Sequence, residues 1–322
     1  MKMGKKKKII LIVAGILLLL VALGIGGMSL QVGKMVAEGL LYQNEGNDTK
    51  GNSIKQLELW GYDIEKFEAS YDSECMVLEA SDGVKVPVTY YANGKEDGAA
   101  PIVILIHGAG GDHVSTYPLA EGYLKRGWQV LSYDQRGSGD SSDDKVSFGY
   151  YEQLDTACVV EYAANTLHSS RIVVHGQSMG AATAALYATS QHARDYVEAI
   201  ILDSPIDSME HMFRGVWREM EGTEDIPEDY VVACGDWYLK HFYGFSFADA
   251  DITASMHRNE IKTLMIQSEQ DELCTIEEGK ALFDEIAAED KQLYMIDCKH
   301  VEGAITNEQE YWNAVFSFLE TE

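Results

Sequence analysis

The first residues that could do chemistry lie in the segment Gly176-Gln177-Ser178-Met179-Gly180. The β-branched run Ile172–Val174 precedes this segment and an alanine-rich stretch follows it, so the pattern predicts a sharp turn from a buried strand into a helix. A serine in such a turn is held in a strained conformation that exposes its hydroxyl, and the flanking glycines leave room for neighbouring backbone. We therefore predict Ser178 as a nucleophile. The alternative is a tight turn with an inert serine.

A second glycine-rich segment, His107-Gly108-Ala109-Gly110-Gly111, follows the continuous apolar run Pro101–Ile106. Such a run is typical of a central parallel strand covered on both faces. Acyl transfer needs backbone N–H groups aimed at a developing oxyanion, and glycines let backbone approach a substrate closely. We predict the N–H groups of Ala109 and Met179 as these donors. A tight turn or a phosphate-binding loop would give the same glycine pattern.

A third loop begins where the predicted strand Gln129–Tyr133 runs into Asp134 and Arg136. Both side chains could contact a substrate, but we expect them to fix the loop by hydrogen bonds and ion pairing. The chain alternates strands with helical stretches, among them Tyr151–Leu167. This alternation predicts a doubly wound, mostly parallel sheet whose functional groups gather at the carboxyl ends of its strands.

Together, the Ser178 turn, the His107-Gly108 loop and the Tyr133–Gly139 segment resemble the α/β-hydrolase superfamily. Within it they are similar to membrane-anchored bacterial hydrolases grouped with monoacylglycerol lipases, carboxylesterases and serine aminopeptidases. The resemblance covers about Met76 to Leu319 and implies the α/β-hydrolase fold. It implies no metal and no cofactor, and it does not identify a substrate, because this fold hosts many chemistries.

The resemblance also implies that the acid and then the histidine follow the nucleophile in the chain. Asp271, after the predicted strand Ile261–Ile266, matches the acid, and His300, after Leu293–Ile296, matches the base. His300 would take the proton of Ser178 while Asp271 orients the imidazole. The acid could instead be one of four other residues: Asp203, Glu269, Glu272 or Asp297. The superfamily often has glycine or alanine where Cys298-Lys299 stand, which leaves the shape of this loop open.

The amino terminus predicts a membrane anchor. Ile9–Met28 contains twenty uncharged residues, enough for a helix of about 30 Å, the thickness of a bilayer core. Five lysines precede it, so we expect residues 1–8 in the cytoplasm and the catalytic domain outside. A cleaved signal peptide with a secreted product is the alternative, because small residues lie near the end of the run.

These features predict four segments and an insertion. Residues 1–8 form the basic terminus, 9–28 the signal anchor, 29–73 a stalk ending in a packing helix, and 74–322 the hydrolase domain. Apolar positions at roughly helical spacing from Ile54 to Phe67 indicate the packing helix. An insertion at about 208–258, rich in large apolar residues, predicts a small helical cap that could line an apolar pocket.

The charge of the chain limits its possible partners and substrates, and the cysteine spacing limits its possible metal and disulfide sites. The chain has 25 Lys+Arg and 52 Asp+Glu, a net charge of −27, and beyond the five amino-terminal lysines it is −32. So acidic a domain repels nucleic acid and strongly anionic substrates. We expect a small-molecule or lipid-like ester as substrate. Five cysteines with no C-x-x-C spacing argue against a zinc site, although Cys274 and Cys298 could form a disulfide.

The sequence thus predicts a membrane-anchored serine hydrolase that cleaves carboxylic esters, with amides as a further possibility, through an acyl-Ser178 intermediate. A serine aminopeptidase or an acyltransferase would use the same three residues. A membrane-tethered binding module without catalytic activity is the alternative of another class. Sequence does not determine the oligomeric state.

Overall fold

A computed structural model describes residues 5–92, 100–223 and 225–321, with side chains from Leu18 onward. Residues 1–4 of the predicted cytoplasmic terminus therefore lie outside the described residues. The side chains of 9–17, the first part of the predicted anchor, do so as well.

A single mostly parallel sheet forms the framework of the described residues. Its strand order is β1-β2-β4-β3-β5-β6-β7-β8; β2 pairs antiparallel with both β1 and β4, and the remaining neighbours pair parallel. The predicted doubly wound α/β-hydrolase fold is confirmed. The strands are β1 (Ser73–Glu79), β2 (Lys85–Tyr91), β3 (Ile102–Ile106), β4 (Gln129–Tyr133), β5 (Ile172–Gln177), β6 (Ala199–Asp203), β7 (Lys262–Ser268) and β8 (Lys291–Ile296).

The central strands are buried on both faces, as their uninterrupted apolar sequences predict. All five residues of β3 are buried, and the parallel register sets Val103 beside Val130 of β4 and Val173 of β5. Ile104 belongs to the core on one face of the sheet and Val103 to the core on the other. The carboxyl ends of β3 to β8 therefore open at one edge, where side chains from distant segments meet.

Twelve α-helices accompany these strands in the described residues. Four short 3₁₀ or π-helical turns lie at His113–Thr116, Leu239–Tyr243, Phe247–Ala250 and Met256–Arg258. The α-helices are α1 (Lys5–Leu41), α2 (Thr49–Leu59), α3 (Ile64–Ser70), α4 (Tyr117–Leu124), α5 (Glu152–Asn165), α6 (Met179–Ala188), α7 (Gln191–Tyr196), α8 (Met209–Glu219), α9 (Glu228–Tyr238), α10 (Ile276–Glu285), α11 (Gly303–Thr306) and α12 (Glu308–Glu320).

Helix α1 extends further than the sequence pattern indicates. It continues past Met28 to Leu41, so residues 29–41 are helical where the sequence predicts a polar stalk. The physical reason is a short amphipathic repeat, because Gly33, Val36 and Ala37 are buried on one face of the helix. The described part, Leu18–Leu41, is long and apolar enough to cross a membrane.

Contacts divide the chain into two compact units. One contains Leu41–Met212 and Phe247–Glu322, which include the whole sheet, α2 and α12. The other contains the described part of Met1–Leu40 together with Phe213–Ser246, so α9 of the predicted cap groups with α1. Within this second unit, the Ser29 Oγ and Tyr230 hydroxyl are 2.9 Å apart. A Cβ at Gly33 would collide with the carbonyl of Cys234. Residues 247–258, predicted as part of the cap, belong to the sheet unit.

Candidate active site

Ser178 lies in the turn between β5 and α6, as the glycine pattern predicts. Its backbone has φ 55° and ψ −119°, a combination that L-residues adopt only under strain. The turn is this tight because side chains are absent on both sides of it. A Cβ at Gly176 would collide with the Gly180 carbonyl, and one at Gly180 would collide with the Ile106 carbonyl. The Ser178 N–H donates to the Asp203 carbonyl over 2.9 Å, which fixes the strained conformation.

A continuous chain of hydrogen bonds joins the three residues that the resemblance implies. His300 Nε2 lies 2.9 Å from Ser178 Oγ, and His300 Nδ1 lies 2.6 Å from Asp271 Oδ2. An ionised carboxylate can only accept, so Nδ1 carries the proton and Nε2 is left to accept from the Ser178 hydroxyl. The arrangement can therefore move a proton from the serine to the imidazole.

The Asp271 carboxylate is well prepared to stay ionised. Burial alone raises the pKa of Asp271, but hydrogen bonds from His300 and from backbone N–H groups outweigh it and hold the pKa below its usual value. These N–H groups belong to Leu273 and Cys274, each 2.9 Å from Asp271 Oδ1. One carboxylate oxygen thus faces the imidazole while the other is held by the loop.

The loop that carries His300 adopts a defined conformation despite the unusual Cys298-Lys299 pair. The Cys298 thiol is buried and donates to Ser268 Oγ over 3.3 Å, while the Cys298 carbonyl accepts from the Gln270 N–H. Val301, directly after His300, has a φ of 53°. Cys274 and Cys298 are both free thiols, so the disulfide that their positions suggested is not present.

The two predicted oxyanion donors flank Ser178. Met179 provides the first N–H of α6, and Ala109 is exposed on the wall of a cleft that also contains Ser178 and His300. Among the hydrogen bonds of the described residues, neither N–H has a protein acceptor. Gly108 brings the loop close, because a Cβ there would lie 3.3 Å from the Ser178 Cβ. Two N–H groups beside a nucleophile can stabilise a tetrahedral oxyanion.

Asp203, the main rival for the acid, has other partners. Its Oδ2 accepts from Gln177 Nε2 at 2.9 Å and from the Tyr311 hydroxyl at 2.8 Å. Burial raises the pKa of Asp203, and these two donors favour its charged form. Asp297 accepts instead from Gln270 Nε2. Of the five candidate acids, Asp271 is the one hydrogen-bonded to His300 among the described residues.

The histidines beside the two motifs are packing residues, as predicted. His107 Nε2 accepts from the Gln135 N–H, and His175 lies between the hydroxyls of Tyr123 and Tyr311 at 3.1 and 3.0 Å. Both are fully buried, and burial lowers the pKa of His175 to about 3. Neither is placed to serve as a base for Ser178.

Asp134 and Arg136 fix their loop, which confirms the structural role predicted for them. Asp134 accepts from the His113 ring, the His113 N–H and the Asp140 N–H. Arg136 binds Asp155 through two nitrogens, at 3.1 and 2.6 Å, and reaches Asp82 with a third. These bonds occupy both side chains.

Three groups of side chains have the composition of metal ligands, and each has an internal explanation. One shares Asp271 and His300 with the site above, and a second contains His113 with the loop-fixing Asp134. In the third, His211 Nδ1 lies 2.9 Å from Asp207 and His211 Nε2 lies 3.2 Å from Glu278. In that third group the two carboxylates pair with opposite nitrogens of one ring.

A cleft of about 490 Å³ opens over Ser178 and His300. Its wall includes α2, an element to which the sequence assigned only a packing role. Helical spacing is the signal that could have indicated this role, because positions 52, 53, 56 and 60 share one face of a helix. The cleft residues that sequence reasoning did not single out for the site are Asn52, Ser53, Gln56, Trp60, Ser115, Gln177, Ile206, Met212, Leu273, Lys299, Val301 and Glu302.

Comparison with known proteins finds the same scaffold. Residues 101–222 match the model of the alpha/beta hydrolase fold. The uncharacterized protein YqkD of Bacillus subtilis is 26% identical over 98% of this chain and 97% of its own length. A proline iminopeptidase of Lacticaseibacillus rhamnosus is 24% identical over 62% of this chain and 83% of its own. The Pyrococcus furiosus esterase Pf2001 superposes with a TM-score of 0.63 at 22% identity, over 80% of this chain and 95% of its own.

Proposed function

Because the chain has the α/β-hydrolase fold, with esterases and peptidases among its neighbours, we propose that it is a serine hydrolase that cleaves carboxylic esters. The observation that carries this proposal is the hydrogen-bonded chain from Ser178 Oγ through His300 to Asp271. In this proposal Ser178 is the nucleophile, His300 the general base and then acid, and Asp271 the residue that orients the imidazole.

The proposed reaction has two steps. His300 Nε2 takes the Ser178 proton as the oxygen attacks the ester carbonyl, and the N–H groups of Ala109 and Met179 stabilise the tetrahedral oxyanion. His300 then returns the proton to the departing alcohol, leaving an acyl-Ser178 intermediate. Water, deprotonated by His300, attacks this intermediate and releases the acid.

A fluorophosphonate probe tests the nucleophile. The probe forms a covalent bond with an activated serine, so we expect stoichiometric labelling of the purified wild type and none of Ser178→Ala. Mass spectrometry of the labelled peptide should locate the adduct at Ser178. A folded wild type that resists the probe would contradict the proposal and favour a binding module.

A serine aminopeptidase is the second candidate, because proline iminopeptidases are among the relatives and Glu302 lines the cleft. A carboxylate there could bind the α-ammonium group of a peptide. Turnover of p-nitrophenyl butyrate and of proline p-nitroanilide separates the two candidates. Faster turnover of the anilide, reduced by Glu302→Gln, would favour the peptidase.

We also propose that α1 anchors the protein in the membrane with the catalytic domain outside the cytoplasm. The length and apolarity of α1 and the lysine cluster before its uncharged run support this topology. Cell fractionation should recover the full chain with membranes, and external protease should remove the catalytic domain from spheroplasts. A mature protein that begins near residue 25 would instead indicate a cleaved signal peptide.

A further inference from the structure

Helix α2 presents one face to the cleft. Asn52, Ser53, Gln56 and Trp60 all line it, and these positions lie within about a third of a helical turn of one another in projection. The family model matches residues 101–222, so α2 lies outside the matched segment.

The amino-terminal half of α2 holds the loop that carries Ala109. Asn52 Nδ2 donates to the Gly110 carbonyl over 3.1 Å, and Ser53 Oγ accepts from the Asp112 N–H at 2.9 Å. Ser53 is buried, and a Cβ at Gly111 would lie 3.1 Å from its hydroxyl oxygen. Two residues of α2 thus hydrogen-bond to two consecutive peptide groups of the loop, just after the proposed oxyanion donor Ala109.

The residue just after α2 holds the loop that carries His300. Trp60 Nε1 donates to Glu302 Oε1 over 3.0 Å, and the Glu302 N–H donates to the Lys299 carbonyl over 3.1 Å. This second bond closes a turn around His300 and Val301. One face of a single helix is therefore bonded to the loops on both sides of Ser178.

Hydrogen bonds and a buried side chain fix α2 on the domain, so the helix can in turn hold the two loops in place. The Asp48 side chain caps its first turn by accepting from the Gly51 N–H over 2.8 Å. Thr49 Oγ1 accepts from the Gly139 N–H over 2.9 Å, and the Leu57 side chain is fully buried in the core. Residue Gln56 makes none of these bonds. It is exposed and lines the cleft, as do the loops that carry Ala109 and His300.

We propose that α2 is a positioning element of the active site, in which Ser53 and Asn52 set the oxyanion loop, Trp60 sets the His300 loop, and Gln56 contacts the bound substrate. This inference rests on the proposed serine hydrolase. Its physical basis is that oxyanion donors work only when they are held within about 0.5 Å of the productive geometry, which places them about 2.7–3.1 Å from the oxyanion. Bonds that fix the loop in advance remove the reorganisation that would otherwise occur during reaction.

Kinetics of four variants in the full-length chain test the proposal. We expect Ser53→Ala and Trp60→Phe each to lower kcat about tenfold with little change in KM, because they disturb positioning for the transition state. We expect Gln56→Ala to raise KM. Glu58→Ala is the matched control, since this exposed residue is on the opposite side of the same helix.

A boronic acid inhibitor supplies a readout that a general loss of stability would not change. Its tetrahedral adduct resembles the oxyanion, so Ser53→Ala should weaken its binding about as much as it lowers kcat. Binding of an uncharged, non-reactive ester analogue should change little. Melting temperatures would be measured alongside, and if Ser53→Ala does not fold, Trp60→Phe, which removes the indole N–H and keeps an aromatic ring, decides the matter.

The outcomes separate this inference from the function on which it rests. If wild type does not react with the fluorophosphonate probe, the proposed serine hydrolase fails. If wild type reacts, but the Ser53 and Trp60 variants match Glu58→Ala in kcat and in boronic acid affinity, then α2 only packs against the domain. That second result would overturn the inference and leave the hydrolase intact.

Discussion

Two buried aspartates lie near His300, and their hydrogen bonds give them different roles. Asp271 bonds to the imidazole, whereas Asp203 accepts from Gln177 and Tyr311 and bonds to the Ser178 N–H through its carbonyl. Asp203 therefore holds the strained turn, and Asp271 holds the base. Position in sequence alone left both as candidates for the acid, because each follows a strand.

Asparagine at each position separates the two roles. Asp271→Asn removes the acceptor that fixes the imidazole tautomer, so we expect kcat for an ester to fall about 10³–10⁴-fold. Asp203→Asn keeps an acceptor for Gln177 and Tyr311, so we expect a loss of less than about tenfold. Ester hydrolysis by both purified variants is the measurement. The opposite order of losses would make Asp203 the acid.

Because His175 is buried in its neutral form, we expect the free energy of unfolding to fall at acid pH. Burial lowers the pKa of His175 to about 3 from the ordinary histidine value of 6.5, so below pH 6.5 the unfolded chain binds a proton that the folded chain does not. The contribution of neutral His175 to the free energy of unfolding is fully present above pH 6.5. It is lost as the pH falls toward 3, by up to about 1.4 kcal/mol per pH unit.

Urea unfolding at pH 7 and pH 5 measures this slope. His175→Gln retains one donor and one acceptor for Tyr123 and Tyr311 but does not titrate, so its free energy of unfolding should fall less between the two pH values. The absolute stability of the variant is not the test. Equal slopes for variant and wild type would show that His175 titrates in the folded protein.

At the scale of residues, the sequence predicted the local backbone well wherever a short motif determines it, whereas the catalytic roles of these residues stay predictions. Ser178, Ala109 and Met179 belong to glycine-rich turns whose geometry follows from local sterics. Asp271 and His300 needed the chain order implied by the resemblance. The bonds of Ser53 and Trp60 to the catalytic loops could not be predicted, because they join segments more than fifty residues apart without a motif.

At the scale of elements, strands were easier to predict than the amino-terminal helices. The apolar runs of β3 to β7 follow from burial on both faces, a strong signal even in one sequence. The extent of α1 was underestimated, because Gln31, Lys34 and Glu38 obscure a narrow buried stripe. The grouping of α9 with α1 depends on tertiary packing and has no local signature.

Two glycines of α1 test the packing of that helix on α9. A Cβ at Gly33 would collide with the Cys234 carbonyl, whereas nothing lies within 4 Å of a Cβ at Gly39. We expect Gly33→Val to destabilise the unit by about 1–3 kcal/mol and to expose Phe213–Ser246 to protease. Gly39→Val, which makes the same change on the same helix, should not.

Limited proteolysis and thermal unfolding of the full chain in detergent micelles provide the measurements. The comparison removes the effect of valine on helix propensity, because both variants share it. If the two variants show the same cleavage pattern and the same melting temperature, the close contact between α1 and α9 does not stabilise the unit.

At the scale of the whole molecule, charge should influence which substrates arrive. The net charge of −27 creates a negative potential that concentrates cations and repels anions near the surface. Salt screens this potential, with a Debye length of about 10 Å at 0.1 M. The kcat/KM for a neutral ester should not depend on this potential.

Initial rates at low and high sodium chloride test this effect. We expect kcat/KM for a choline ester to fall as salt is added and that for a hemisuccinate ester to rise, while a neutral ester of equal acyl length stays level. Parallel changes for all three esters would indicate that salt acts on the enzyme rather than on substrate arrival.

Helix α1 runs unbroken to Leu41, the residue at which the catalytic unit begins. A disordered linker over residues 29–41 would have no fixed length, whereas a helix over the same residues has a length of about 20 Å. In the proposed anchored protein, hydrolysis would take place in a layer at the membrane and not throughout the solution. Its rate would scale with the number of ester molecules per unit of membrane area that enter this layer, and not with their concentration in bulk solution.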